Sequence, residues 1–175
     1  VGDLIKSVSY KDGEITFQTA DTFKEGNAVI AAKDVSGTIL WSWHIWLTDQ
    51  PVECVYANNA GTMMDRNLGA TSATPGDVGA LGLFYQWGRK DPFLGSSSIH
   101  YFSMEAAKST ITWPLIVISN SSNGTIEYAT SHPTTFITGN TAGGDWYYTG
   151  LPLTDNTRWT TSDKAKSIYD PCPAG

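Results

Sequence analysis

Hydrophobic and polar side chains alternate across residues 7–18 on both sides of Lys11-Asp12-Gly13, which predicts a strand, a turn and a strand. Asp-Gly favours the positive φ that a tight hairpin needs. Residues 27–32 and 38–47 predict a second hairpin, joined through Asp34-Val35-Ser36-Gly37. In its second strand Trp41, Trp43, Ile45 and Leu47 share one face, while Leu40, Ser42, His44 and Trp46 share the other. One face is wholly apolar and the other half polar, the pattern of a central strand covered on both sides. Residues 62–64 predict a further short strand before the polar knot Asp65-Arg66-Asn67, and residues 69–76 a loop.

The pattern then changes period. Asp77 is placed to cap a helix in which Val78, Leu81 and Tyr85 recur at helical spacing. Gly88 can close it, Arg89 and Lys90 suit the negative end of its dipole, and Pro92 forbids continuation. A second helix is expected over residues 103–108. Residues 111–118, 125–129, 134–138 and 146–149 are β-prone pieces separated by Ser/Asn/Gly loops. The predicted class is α+β, mainly antiparallel sheet with one or two helices and long loops, without internal repeats.

Composition narrows this picture. At 175 residues the chain has the length of one domain. Eleven basic against seventeen acidic residues give a net charge of −6 and a pI near 4.8, which argues against a nucleic-acid partner because phosphate neutralisation needs a basic surface. Charged residues are 16%, below the usual ~25%, and Ser and Thr, about a fifth of the chain, supply the missing polarity. No apolar run approaches the ~20 residues of a membrane helix, so no membrane-spanning segment is expected. Aromatics reach 12%, with seven Trp. On a strand bounded by apolar residues, Trp41, Trp43 and Trp46 are expected in the core.

Two cysteines, Cys54 and Cys172, can pair outside the reducing cytosol or remain free thiols. No Cys/His spacing suggests zinc or thioredoxin chemistry. The chain begins at Val1 and stops in the turn-rich Tyr169-Asp-Pro-Cys-Pro-Ala-Gly175, so the polypeptide is expected to continue beyond both ends.

Four segments occur in order: Ile39-Leu-Trp-Ser-Trp-His-Ile-Trp46, Met64-Asp-Arg-Asn-Leu-Gly-Ala70, Tyr85-Gln-Trp-Gly-Arg-Lys-Asp-Pro-Phe93 and Tyr169-Asp-Pro-Cys-Pro-Ala-Gly175. Together they resemble the secreted or surface-anchored Bacteroidetes proteins that carry the Fibrobacter succinogenes major paralogous domain, related to C-type-lectin-like and sulfatase-modifying-factor folds. The resemblance covers residues 27–175, leaving 1–26 as N-terminal strands or an extension. In relatives the last segment runs on into an aromatic, an Arg and a Val-Pro pair, which are absent here, so the domain is expected to be truncated at its C-terminus. The resemblance implies a C-type-lectin-like fold with its termini brought together, a closure that a Cys54–Cys172 disulfide would suit. It also implies export to the extracellular space or outer-membrane surface, as a lipoprotein anchored through a missing N-terminal region or as part of a fimbria-like fibre. Asn120-Ser-Ser and Asn123-Gly-Thr are glycosylation sequons, without meaning in a bacterial protein.

Candidate chemistry is sparse. There is no Gly-x-Ser-x-Gly, His-Glu-x-x-His, phosphate loop or EF-hand. His44, His100 and His132 are too scattered to nominate a triad, and the neighbouring Cys pair of the formylglycine-generating relatives has no counterpart. No enzyme is expected, and a glycan-acting hydrolase with two distant carboxylates is the third reading. Asn140-Thr-Ala-Gly-Gly-Asp145-Trp146 offers oxygens but neither sugar-binding calcium motif of C-type lectins, and calcium wants six to eight oxygen ligands. No metal or cofactor is expected there. Trp146, Tyr147 and Tyr148, with Asn140 and Asp145, are the weak ligand-binding candidates, weighed against a half-buried strand. Asp65, Arg66, Asn67, Arg89 and Asp91 are expected to form a satisfied polar network pinning loop to helix, since Arg offers a five-donor fork that Asp or Asn accepts. The resulting expectation is a non-catalytic surface domain for adhesion or ligand binding, with a glycan or a host or bacterial surface protein as partner. The alternative is a subunit or tip component of a fibre, self-assembling or joined to a pilus partner by exchange of the strands in residues 7–18.

Overall fold

The computed structural model describes residues 2–94, 115–139, 145–150, 157–160 and 165–172. The described chain falls into two compact units, residues 2–30 with 44–83, and residues 31–43 with 84–94 and the described residues from 115 onward. The described residues form small two-stranded sheets, mostly antiparallel, with little helix among them.

In the first unit, β1 (Ile5–Lys11) and β2 (Glu14–Thr19) pair antiparallel, with Val8 opposite Phe17 and Tyr10 opposite Ile15. Asp12 and Gly13 take φ of 52° and 90°. That is the double positive-φ requirement of the tight turn and the reason Asp-Gly occupies it. β3 (Gly26–Lys33) pairs with β4 (Ile39–Leu47). Their intervening turn is fixed by Asp34 Oδ1, which accepts from Ser36 N, Ser36 Oγ and Thr38 N at 2.9, 2.7 and 2.9 Å. The halves of β3 and β4 nearest the turn belong to the second unit and the remaining halves to the first. β5 (Glu53–Val55) pairs antiparallel with β6 (Thr62–Met64).

Among the described residues β4 is not the centre of a sheet: β3 is its one strand neighbour there. The apolar face is no better covered than the mixed one. Trp41 is half-buried and Trp43 exposed, while Ser42, on the mixed face, is 1% exposed. Ser42 tolerates this burial because its hydroxyl is fully engaged, as described below.

The helix expected over residues 77–88 does not form. Asp77 caps as anticipated, accepting from Gly79 N at 2.9 Å, but only the 3₁₀ turn Val78–Ala80 follows. Gly79 lacks helix propensity, and Gly82 sits at φ 69°, outside the helical region. The chain then re-extends into β7 (Phe84–Tyr85), antiparallel to β8 (Pro92–Phe93). A Cβ on Gly82 would lie 2.7 Å from Leu68 O and 2.8 Å from Asn67 Cβ, whereas one on Gly13 meets nothing within 4 Å. Gly82→Ala is therefore expected to lose more than the ~1–2 kcal/mol that the left-handed backbone alone costs. Gly13→Ala should stay within that range, and urea melts of the two variants measure the difference.

The second unit contains a β–α–β element. β9 (Leu115–Ile118) and β10 (Thr135–Thr138) are parallel, Leu115 opposite Thr135 through Ile118 opposite Thr138, and α1 (Ile126–Ser131) lies between them in sequence. Residues 125–129 are thus the start of a helix and not a strand. Thr125 Oγ1 accepts from Tyr128 N at 3.1 Å, Glu127 sits in the first turn, and Pro133 follows the C-cap His132. Ile126 and Ala129, three apart, face the core built from Ala129, Ile137 and Trp146. Residues 146–149 form no strand, with bends at 146 and 147: Tyr147 N donates to Asp145 Oδ1 and Tyr148 N to Gly124 O. The helix expected over 103–108 lies outside the described residues, as do residues 111–114 of the expected strand at 111–118.

The Cys54–Cys172 disulfide is not formed. Cys54 lies exposed on β5 in the first unit. Cys172 lies exposed in the turn of the second, its backbone N–H held by Asp170 Oδ1 at 2.9 Å. No described helix is long and apolar enough to cross a membrane.

Candidate functional site

The polar residues singled out from sequence fall into separate clusters. In the first unit Arg66, with a side chain 4% exposed, holds Asp65 through two bonds, Nε to Oδ1 at 2.8 Å and Nη2 to Oδ2 at 3.1 Å. Its Nη1 also donates to Thr48 Oγ1 at 3.1 Å and pairs with Asp49. Asn67 Nδ2 reaches Ala80 O and Leu81 O, both at 3.4 Å. Beside it, Asn27 bridges His44 Nε2 at 2.8 Å and Gly69 O at 2.8 Å, and Trp46 Nε1 donates to Ala70 O at 2.9 Å. The irregular stretch after β6 is thus tied down through its own carbonyls.

The hydrogen bond from Arg66 lowers the pKa of Asp49 and of Asp65, and the Ser36 hydroxyl lowers that of Asp34. A carboxyl with a lower folded than unfolded pKa contributes stability that is complete above its unfolded value, near 3.8 here. That stability drains as the pH falls through the folded value. The melting temperature is expected to hold from neutral pH to about 5 and to fall below about 4. Arg66→Met should flatten that acid limb, as thermal melts across the pH range will record.

In the second unit, the segment from Gln86 to Asp91 places polar groups inward. Arg89 is 2% exposed, and its Nη1 donates to Gln86 Oε1 at 2.7 Å and Thr135 O at 2.8 Å. Its Nη2 donates to His132 O at 3.1 Å and Ala129 O at 3.4 Å, so one guanidinium joins the end of α1 to the start of β10. Gln86 completes the edge of β10 by donating to Ile137 O at 2.7 Å and accepting from Ile137 N at 3.1 Å. Burial pushes the Arg89 pKa down to about 10, with the Asp91 charge opposing, so the group stays cationic at neutral pH. Arg89 Nε has no acceptor, and the residue lines a cavity of about 10 Å³ with Lys90, Asp91, Ala129, Trp146 and Tyr169.

Lys90, Asp91 and Ser42 close a second polar cluster. Lys90 Nζ lies 2.7 Å from Asp91 Oδ1 and 2.5 Å from Ser42 Oγ, and Ser42 Oγ donates to Asp91 Oδ1 at 2.6 Å. The ammonium also sits 4.5 Å from the Trp41 ring centroid, a cation–π contact. Burial lowers the Lys90 pKa, with Asp91 opposing. This arrangement has the residue types of a serine–lysine dyad. Ser42, however, donates to a carboxylate and is closed off from solvent, so it offers no approach to a substrate.

Of the ligand-binding candidates, Trp146 is 4% exposed and belongs to the core, where its indole N–H donates to Trp87 O at 2.6 Å. Its carbonyl accepts from Ser119 Oγ at 2.7 Å. Tyr147 packs on the same core, Tyr148 is half-buried, and Asp145 pairs with Arg158. Asn140 lies outside the described residues. Among those residues no group of three or more His, Cys, Asp or Glu could hold a metal ion.

Sequence reasoning overlooked the aromatic pair that does reach the surface. Trp87 is 47% exposed and its ring lies 4.2 Å from that of Trp159 at an interplanar angle of 45°. Trp159 Nε1 donates to Arg89 O at 3.2 Å, and Arg158 packs against Gly88, where a Cβ would meet its side chain. Trp87 was visible within the Tyr85–Phe93 segment, but its partner Trp159 lies far along the chain and no local pattern links them. No family model, no curated protein and no solved structure matches the chain.

Proposed function

We propose that the chain is a non-catalytic, C-type-lectin-like domain exported to a bacterial surface, where it serves adhesion or ligand binding, with glycans as the leading ligand class. The ordered segments that resemble the Fibrobacter succinogenes major paralogous domain motivate the family, and an exported or lipid-anchored location goes with it. One observation carries the choice of binding over catalysis. In the Tyr85–Phe93 segment the ionisable side chains turn inward onto main-chain carbonyls and one another, while Trp87 turns out to solvent. A catalytic centre needs the opposite disposition, with titratable groups open to a substrate.

Glycan-array binding by the intact chain, together with adherence of chain-coated beads to glycan-bearing surfaces, tests the reading. Saturable binding is expected, and a clean negative at high protein concentration overturns it. The fibre-subunit reading has its own support. Among the described residues the β1–β2 hairpin has no third strand on either side, and it exposes Val8, Tyr10 and Phe17. Concentration-dependent fibres that vanish on deleting the first twenty residues would favour that reading instead.

A further inference from the structure

We infer that the Trp87–Trp159 pair is a stacking site for the apolar face of a neutral pyranose. The inference rests on the glycan-binding reading above and locates it.

Three indoles meet around the turn from Trp87 to Arg89, and they are used differently. Trp146 and Trp159 direct their N–H groups at the main chain, onto Trp87 O and Arg89 O. Those two bonds fix the turn from both ends, and Gly88 between them takes φ 86°, with Arg158 filling the space a side chain would need. Trp87 is held by its backbone, and its own N–H has no acceptor among the described residues. Its ring leans on Trp159 and leaves about half of its surface to solvent. A rigid indole face with a free N–H at its edge matches a pyranose, which presents polarised C–H groups on one face and hydroxyls at its rim.

The surrounding charge selects among ligands that could stack there. Arg89 and Lys90 follow Trp87 in the chain, and Arg158 precedes Trp159, its guanidinium lying 5.5 Å from the Trp146 ring and 5.1 Å from the Tyr147 ring. Arg89, bonded to Gln86 and to main-chain carbonyls rather than to a carboxylate, leaves one buried positive charge behind the platform, which disfavours a cation. Asp145 pairs with Arg158, and Asp91 is held by Lys90 and Ser42. No uncompensated cluster of cations is left to demand an anion, which leaves a neutral sugar as the fitting ligand.

The test is titration of the full chain with neutral glucose, mannose and galactose oligosaccharides, followed by calorimetry and tryptophan fluorescence. Trp87→Ala is expected to weaken binding at least tenfold, and Trp87→Phe, which keeps a ring but loses the N–H, by a smaller factor. Trp43→Ala, which removes an exposed indole that makes no ring pair among the described residues, should bind as the wild type does. Melting temperatures establish that each variant is folded. Wild-type binding that survives Trp87→Ala overturns this site and leaves the glycan reading standing. Absence of wild-type binding to every oligosaccharide at millimolar concentration overturns both. Equal loss in Trp43→Ala and Trp87→Ala overturns the assignment to the pair.

Discussion

Arg89→Ala is expected to destabilise the second unit by about 3–5 kcal/mol, measured as a lowered urea midpoint by far-UV circular dichroism. The guanidinium serves Gln86 Oε1 and the carbonyls of Thr135, His132 and Ala129. The carbonyls lie where α1 ends and β10 begins, so truncation strands several acceptors at once. Each buried acceptor left alone costs ~1–3 kcal/mol, less what water entering the vacated space restores. A domain of this size is stable by only ~5–15 kcal/mol, so the variant should sit close to unfolding at 37 °C. Arg89→Lys keeps the charge but has no planar fork to span α1, β10 and Gln86 together, and should recover less than half of the loss. Arg89→Met tests the opposite idea, that the charge itself is a burden. With no carboxylate bonded to it among the described residues and with Nε unsatisfied, a buried Arg is costly to desolvate. If Met matched the wild type, the carbonyls could not depend on Arg89 for satisfaction.

The same segment shows what was legible in the chain. Turn chemistry was: Asp12-Gly13 and the Asp34 side chain act within a few residues, and both turns formed where local rules placed them. Period was not enough elsewhere. Val78, Leu81 and Tyr85 have helical spacing, but Gly79 and Gly82 between them remove the propensity, and the backbone at Gly82 is left-handed. Residues 125–129 are β-prone in composition, yet the Thr125 cap and Pro133 frame a short helix that the core at Ala129 and Ile137 stabilises from a distance in sequence. The Asp65–Arg66 fork is a contact between sequence neighbours and could be anticipated. The Ser42–Lys90 contact joins residues 48 apart, and nothing in a strand of alternating apolar and polar residues says which of its polar members will be buried. Aromatic runs carry the same ambiguity. The sequence 146–148 cannot reveal that Trp146 turns inward while Trp87, in a segment read as helical, turns out.

Trp146→Ala is expected to cost about 3–5 kcal/mol, comparable with loss of Arg89 and for a different reason. The indole is 4% exposed, packs with Ala129 and Ile137, and has the Arg89 and Arg158 guanidiniums 5.7 and 5.5 Å from its ring centre. Truncation leaves a cavity that the short α1 and the β9–β10 pair are poorly placed to collapse into, since each is anchored by its own hydrogen bonds. Trp146→Phe separates packing from hydrogen bonding. Most of the apolar surface remains, but Trp87 O loses its donor at 2.6 Å, and a loss of about 1–2 kcal/mol is expected from that bond and the smaller ring. The two substitutions also differ at the surface. Because the Trp146 N–H fixes one end of the turn that presents Trp87, Trp146→Phe should loosen the Trp87–Trp159 pair while the unit stays folded. Oligosaccharide binding should then weaken beyond what the stability loss accounts for. Unchanged affinity in a folded Trp146→Phe protein would show that the turn is held without this bond.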